Sequence, residues 1–237
     1  MDDKETLLKK ASQGDAKSQF SVGQAYYYGD EGYPQDSAKA RTYYEMVLNN
    51  TTAPKDTTSM AQYCIAFYYD PRNGNENVDK FAYWLEQAAT NGLDEAALAL
   101  AELHTKAYYP GASEAEHVRW LKHLVHVHNH PSSMVKLGAY LCTKQSNHKE
   151  GFALIAEGIA AAEVEGAAPL TYSDYFDISD AYHKHIWQAG SNAVESARLS
   201  TLCARKGYEM AMAHTPPLDD EMLFVYKKIL EAAEKLG

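Results

Sequence analysis

Apolar and small residues recur along this chain at helical spacing. Each run ends after roughly three turns at a cluster of Gly, Pro, Asn or Asp. In DAKSQFSVGQAYYYGDEGYPQDSAKARTYYEMVLNN, residues 15–50, Phe20, Val22, Gly23 and Tyr26 follow helical spacing. They predict a helix from about Ala16 to Tyr28, stopped by Gly29-Asp30-Glu31-Gly32. After Pro34, Asp36 or Ser37 can cap a second helix that runs to about Leu48. Ala40, Tyr43, Tyr44 and Val47 lie on one side of it. No strand-type alternation of useful length occurs, so the predicted fold class is all-α.

The same two-helix layout recurs. The copies cover approximately residues 15–50, 58–92, 93–130, 131–166 and 172–207 of a single helical-repeat domain, 1–237. A small residue in each first helix sets the register: Gly23, Ala66, Ala101, Gly138 and Ser179, at spacings of 43, 35, 37 and 41 residues. Three positions later stand Tyr26, Tyr69, His104, Leu141 and Tyr182. Tyr44, Trp84 and Trp120 hold equivalent places in the second helices. Two short helices cannot bury an amphipathic face alone, but stacked pairs share a continuous core. The small residue lets paired helices approach, and the aromatic fills the gap one turn away. Leu7, Leu8 and Ala11 read as the tail of a preceding helix. Residues 218–236 read as a C-terminal capping helix with Leu218, Met222, Val225, Ile229, Ala233 and Leu236 as its apolar stripe.

The pattern resembles the Sel-one-like repeat family, a relative of the tetratricopeptide repeats. In the first copy the resemblance is carried by Asp15, Ala16, Gln19, Val22, Gly23, Tyr26, Gly29, Asp36, Lys39, Ala40, Tyr43, Tyr44 and Val47. Copies two and three keep mainly their second halves, such as Trp84, Ala88, Ala89 and Gly92. The turn DPRNGNEN (Asp70–Asn77) and the linker TTAPKDTT (Thr51–Thr58) depart from the family pattern. The resemblance implies a right-handed α-solenoid of about five antiparallel helix pairs with capping helices. It also implies that the first helices line a concave surface, as in related solenoids. A cysteine-rich branch of the family is linked to penicillin binding and hydrolysis, and its paired cysteines are missing here.

The net charge of −10 argues against nucleic acid and against an anionic membrane as partners. Cys64, Cys142 and Cys203 are widely spaced and odd in number, which argues against a disulfide framework or a zinc site. No apolar segment reads as a secretory signal or a membrane span, so a cytoplasmic location is expected. No Gly-Lys-Ser/Thr loop, GxSxG, HExxH or GxGxxG motif occurs, so neither a cofactor nor catalysis is expected.

Two groups of residues carry candidate chemistry. HVRWLKHLVHVHNH, residues 117–130, places His123, His126 and His130 at helical spacings that suit imidazole ligation of a metal. No Asp, Glu or Cys stands at ligand spacing beside them, so the expectation is a partly exposed helix end. A metal-dependent sensor or a hydrolytic enzyme built on this stretch is the alternative reading. Tyr182-His183-Lys184-His185 is a second polar-aromatic cluster, with Tyr182 read as packing. The 18 tyrosines divide: Tyr26, Tyr43, Tyr44 and Tyr69 read as packing residues. Tyr27, Tyr28, Tyr68, Tyr108 and Tyr109 fall at helix ends and turns, where packing has no need of them all. With Gln24, Glu102 and Asp180 they predict an acidic, aromatic partner-binding face. The expected function is a non-catalytic scaffold or adaptor, regulatory or toxin-inhibiting, for a protein or peptide of basic character.

Overall fold

The computed structural model describes residues 3–30, 32–73, 77–186 and 193–214, with 223–224, 227–228, 230–231 and 234–235. Among the described residues no strand occurs. The helices are α1 (Lys4–Ser12), α2 (Ala16–Tyr28), α3 (Ser37–Leu48), α4 (Lys55–Phe67), α5 (Val78–Thr90) and α6 (Asp94–Leu103). They continue as α7 (Glu114–His128), α8 (Pro131–Lys144), α9 (His148–Ala162), α10 (Tyr172–Ile186) and α11 (Ala193–Met212). A 3-10 turn at Pro71–Asn73 precedes α5.

Local chemistry places the helix starts. The side chains of Asp3, Asp15, Asp36, Asn77 and Asn147 each accept a hydrogen bond from the backbone N–H three residues on. Each bond satisfies a donor that the first turn would otherwise leave open. Gly29 ends α2 with φ at 76°, a conformation that costs glycine nothing.

The chain forms two compact units, residues 1–120 and 121–237, and the boundary falls within α7. In the first unit, α2 and α3 run antiparallel. The Asp36 N–H donates to the Tyr26 carbonyl at 2.8 Å, and Asn50 Nδ2 donates to the Gly14 carbonyl at 2.7 Å. These bonds tie both ends of the pair. Between them Gly23 faces Tyr44: a Cβ built on Gly23 would stand 2.6 Å from Tyr44 Cε1. Ala11, Val22, Ala25 and Tyr33 form one buried cluster with Leu7 and Leu8 of α1 against it. Phe20, Ala40, Tyr44, Val47, Ala61 and Ile65 form the next, across α2, α3 and α4. Tyr26 stacks on Tyr43 at 5.8 Å and meets the edge of Tyr33 at 4.9 Å.

In the second unit α8 and α9 approach more closely still. A Cβ on Gly138 would meet the Gly151 carbonyl oxygen at 2.5 Å, and one on Gly158 would meet the Pro131 carbonyl oxygen at 2.8 Å. Residues near the start of α8 thus face the end of α9, and the pair is antiparallel. In α10 and α11 the contact is polar: the Ser179 hydroxyl donates to the Ser200 carbonyl at 2.9 Å, and the Ser200 hydroxyl donates to the Ser179 carbonyl at 3.0 Å. Asp174 is fully buried at the start of α10. It accepts from the Ser132 hydroxyl at 2.6 Å and from the Thr171 N–H and hydroxyl, both at 2.8 Å. The Thr171 hydroxyl lies 3.4 Å from the Asp174 N–H, so the two residues cap the helix reciprocally. Lys136 Nζ stands 3.6 Å from the same carboxylate and 3.2 Å from Asp177. A buried charge of this kind is tolerable because its lone pairs are used.

The apolar stripe expected along 218–236 lies outside the described residues. The described positions of that segment up to Glu234 are helical. Leu230 packs on Phe176 and Ala204, and Arg205 pairs with Glu234 at 3.0 Å.

Gly138→Ala tests the close approach. Helix propensity alone would favour alanine by about 1 kcal/mol. The Cβ would press on backbone that cannot rotate aside, so the overpacking cost lies in the upper part of its range, about 2–3 kcal/mol. The expected net loss is on the order of 1–2 kcal/mol, read from urea denaturation of the full chain. An unchanged or raised midpoint would mean that α8 and α9 separate freely.

Candidate functional site

The α2 and α4 helices both end in tyrosines. Tyr27 and Tyr28 close α2, and Tyr68 follows the last residue of α4. The Tyr27 ring meets Tyr28 edge-on at 5.0 Å and Tyr68 edge-on at 6.5 Å. Tyr27 is 38% exposed and Tyr28 62%. Tyr68 is half-buried, and its hydroxyl donates to the Ser37 carbonyl at 2.8 Å. Burial first, then its tyrosine neighbour Tyr27, pushes its hydroxyl pKa up to about 12, so it is a neutral donor. Tyr27 and Tyr28 thus present open ring surface, while Tyr68 is also fastened to the turn before α3.

Gln24 and Tyr28 reach a second feature, a groove of about 550 Å³ between α1 and α2. Lys10 and Lys17 line it together with Asp15 and Asp30, so its charge is mixed.

The acidic and aromatic chemistry expected of the site gathers elsewhere in the first unit. A cavity of about 320 Å³ is lined by Asp79, Ala82, Tyr83 and Glu86 of α5, Leu100 of α6 and His104 just after it. Tyr109 of the following loop and Glu116 and Trp120 of α7 complete the wall. Asp79, Tyr83 and Glu86 fall at i, i+4 and i+7, one face of a helix. Tyr109 is driven above the usual tyrosine range by burial and then by Asp79, Glu86 and Glu116, so all three carboxylates act on its hydroxyl. His104 stands 5.4 Å from Tyr109 and is driven below the usual histidine range by burial. A hydrogen bond to the Gly111 carbonyl and the Glu116 charge oppose that shift, and His117 and Arg119 add to it. Its Nδ1 is buried without a hydrogen-bond partner.

Of the residues expected at the partner-binding face, Tyr27, Tyr28 and Tyr68 therefore meet, and Gln24 joins Tyr28. Tyr109 belongs to the acidic cavity. Glu102 and Tyr108 are exposed and line neither opening, though both lie within electrostatic reach of Arg72. Asp180 lies in the second unit, where Lys184 pairs with it at 2.7 Å. Asp79, Tyr83, Glu86 and Glu116 were not singled out from the sequence. The heptad-like spacing on α5 was legible there, but its facing wall on α7 was not.

The histidines divide as well. His126 is exposed in the last turn of α7, and His123 meets His128 edge-on at 6.0 Å. His130 leaves that helix: it is the N-cap of α8, and its Nδ1 accepts from the Ser133 N–H at 3.3 Å. Among the described residues no three His, Cys, Asp or Glu side chains are grouped as metal ligands. Beyond this stretch, His185 contacts the Ser196 hydroxyl at 2.9 Å through Nδ1 and lies 4.7 Å from His148. Burial, then the neighbouring His148, lowers its pKa. The three cysteines are unpaired, and burial raises each thiol pKa to about 11, so none is poised as a nucleophile. No described helix is long and apolar enough to cross a membrane.

No protein-family model matches the chain, and no curated protein matches it. Solved structures do share its fold. One is a protective antigen present in uropathogenic Escherichia coli strains displaying an SLR fold: 16% identity and TM-score 0.60, over 97% of this chain and 51% of that one. Another is a Sel1 repeat protein from Oxalobacter formigenes: 14% identity and TM-score 0.56, over 95% of this chain and 64% of that one. At such identities the likeness is one of fold. The architecture is an all-α helical-repeat solenoid of the Sel1-like type. The chain spans between about half and two thirds of the length of these two structures.

The lowered pKa values of His104 and His185 give a signed prediction. In each case the unfolded chain binds the proton more readily, so stability rises with pH through the affected window. Their contribution is complete above the ordinary histidine value of 6.5 and is lost as the pH falls below it. Urea midpoints should drop between about pH 7.5 and about pH 5.5. The drop should be smaller in a His104→Gln, His185→Gln variant. An equal drop in that variant would assign the effect to other groups.

Proposed function

We propose that this chain is a non-catalytic scaffold or adaptor that binds a protein or an extended peptide, with both units acting as one repeat domain. The observation that carries the reading is the open ring surface of Tyr27 and Tyr28, backed by Tyr68. Tyrosine offers a large, stiff, amphipathic contact area at little cost in side-chain entropy, and such rings concentrate binding energy in interfaces. Their place at the ends of α2 and α4 sets them on rigid elements, so little ordering is needed on binding. The net charge of −10 favours a partner of basic or mixed character. A cytoplasmic setting, where thiols stay reduced, suits the unpaired cysteines. The reading extends to Gln24, which shares the groove beside Tyr28.

Replacing Tyr27 and Tyr28 together by Ala should leave the fold intact, because both rings are exposed. Two interface tyrosines are together worth about 1.4–2.8 kcal/mol, so partner capture from the native cell should fall about tenfold to hundredfold. Capture is read by quantitative mass spectrometry, with circular dichroism as the folding control. Undiminished capture by a folded variant would overturn the site.

A further inference from the structure

We infer that the cavity bounded by α5, the Tyr109 loop and the start of α7 is an anchor site for an arginine side chain of a bound peptide. The inference rests on the scaffold reading for the peptide. It rests on the cavity alone for the guanidinium.

Size comes first. About 320 Å³ is at the lower end for ligand pockets, and it admits one long side chain rather than a folded element. The walls decide the shape of the occupant. Tyr83 and, in part, Tyr109 offer ring surface above the buried indole of Trp120, and a flat cation stacks on such surface. The charges decide its sign. Asp79 and Glu86 stand on either side of Tyr83 on α5, and Glu116 approaches from α7. Among the described residues, Asp79 and Glu86 have no ion-pair partner, while Glu116 is held by Arg119 at 2.6 Å. Lys80, the neighbouring cation on α5, lies over the Tyr69 ring at 5.2 Å. Three carboxylates against one guanidinium leave two negative charges facing this opening. Burial first, and then the same three carboxylates, raise the pKa of the Tyr109 hydroxyl. An anion is excluded by this field. An apolar side chain would take water from the carboxylates and return no hydrogen bond.

The choice of arginine over lysine comes from the rim of the cavity. Arg119 of this chain lies over Trp120 at 4.7 Å while its Nε donates to Glu116 at 2.8 Å. One planar group there stacks on the indole and bonds a carboxylate at once. A guanidinium can do both because its donors lie in the plane of the stacked face, whereas an ammonium is a hydrated point charge. The same combination recurs on α5, where Tyr83 is 51% exposed between Asp79 and Glu86.

The test uses the full chain and three blocked tripeptides, Gly-Arg-Gly, Gly-Lys-Gly and Gly-citrulline-Gly. Citrulline keeps the shape of arginine without its charge. The readout is the indole N–H resonance of Trp120 during titration. A saturable shift is expected with the arginine peptide. Affinity should be about tenfold lower for citrulline, which lacks the charge, and lower for lysine, which lacks the fork. Asp79→Asn with Glu86→Gln should weaken arginine binding at least about tenfold, and so should Tyr83→Ala. These side chains are exposed, so the variants should fold. No saturable response to the arginine peptide, an equal response to citrulline, or an undiminished response in the Asp79→Asn, Glu86→Gln variant would overturn the inference. Any of these results would leave the scaffold reading standing, because that reading is tested by capture through Tyr27 and Tyr28. Arginine binding by a chain that captures no protein would support the pocket and remove the scaffold reading.

Discussion

Three helix pairs in this protein touch at glycine or serine. Gly23 lies under the ring of Tyr44, Gly138 lies against the Gly151 backbone, and Ser179 and Ser200 bond each other's carbonyls. The distance between two helix axes is set by the side chains at the crossing, so these positions decide how near the backbones come. Once the crossing is close, the residues one turn away must fill the wedge on either side. That is where Tyr26, Tyr43 and Leu141 stand. The three crossings solve one steric problem with different chemistry: a ring over a glycine, backbone on backbone, and reciprocal hydroxyl bonds. The polar solution is tolerable at full burial only because every hydroxyl proton has an acceptor.

The same constraint shapes the surfaces. Helices tied at both ends, as α2 and α3 are, cannot adjust their tips independently. A residue placed just past the last buried turn is therefore held in a fixed position. Tyr27 and Tyr28 are such residues. Their exposure follows from register: Ala25 and Tyr26 take the last inward positions before Gly29 turns the chain. Tyr68 stands at the matching place on α4, but its hydroxyl is spent on Ser37. Tyr68 thus differs from Tyr27 and Tyr28 in being half-buried and fastened to the turn before α3.

Charge is arranged with equal economy. Asp174 is wholly buried and holds several donors, and its role is to fix the start of α10 against α8. Asp79 and Glu86 are exposed, face an opening and have no ion pair among the described residues. The contrast separates a carboxylate used for architecture from carboxylates left open to solvent. Glu116 lies between the two, because Arg119 of its own helix already occupies it.

Most of the helix layout, the Asp36 cap and the small-residue register were legible in the chain, because each depends on residues within a turn or two. The first turn of α4, Lys55–Thr58, was not: it reads as linker. Asp15 caps α2 and Asp36 caps α3 by contacts three residues long. The inward and outward tyrosines of α2 follow from one periodicity, and Tyr27 and Tyr28 could be set aside from it as surplus to packing. The resemblance to Sel1-like repeats supplied the pairing of helices, and the shared fold agrees with it. Partners that meet across the fold were not legible. Asp79, Tyr83 and Glu86 share one face of α5, and only the packed fold brings Glu116 and Trp120 of α7 opposite them. Nothing local marks Asp174, whose partner Ser132 lies 42 residues earlier. His130 read as one of a helical series until a tight turn made it the cap of the next helix. Local pattern determines which residues face inward because helical geometry is periodic. Convergence of distant side chains is decided by crossing angles and loop paths, and these exist only once the helices have packed.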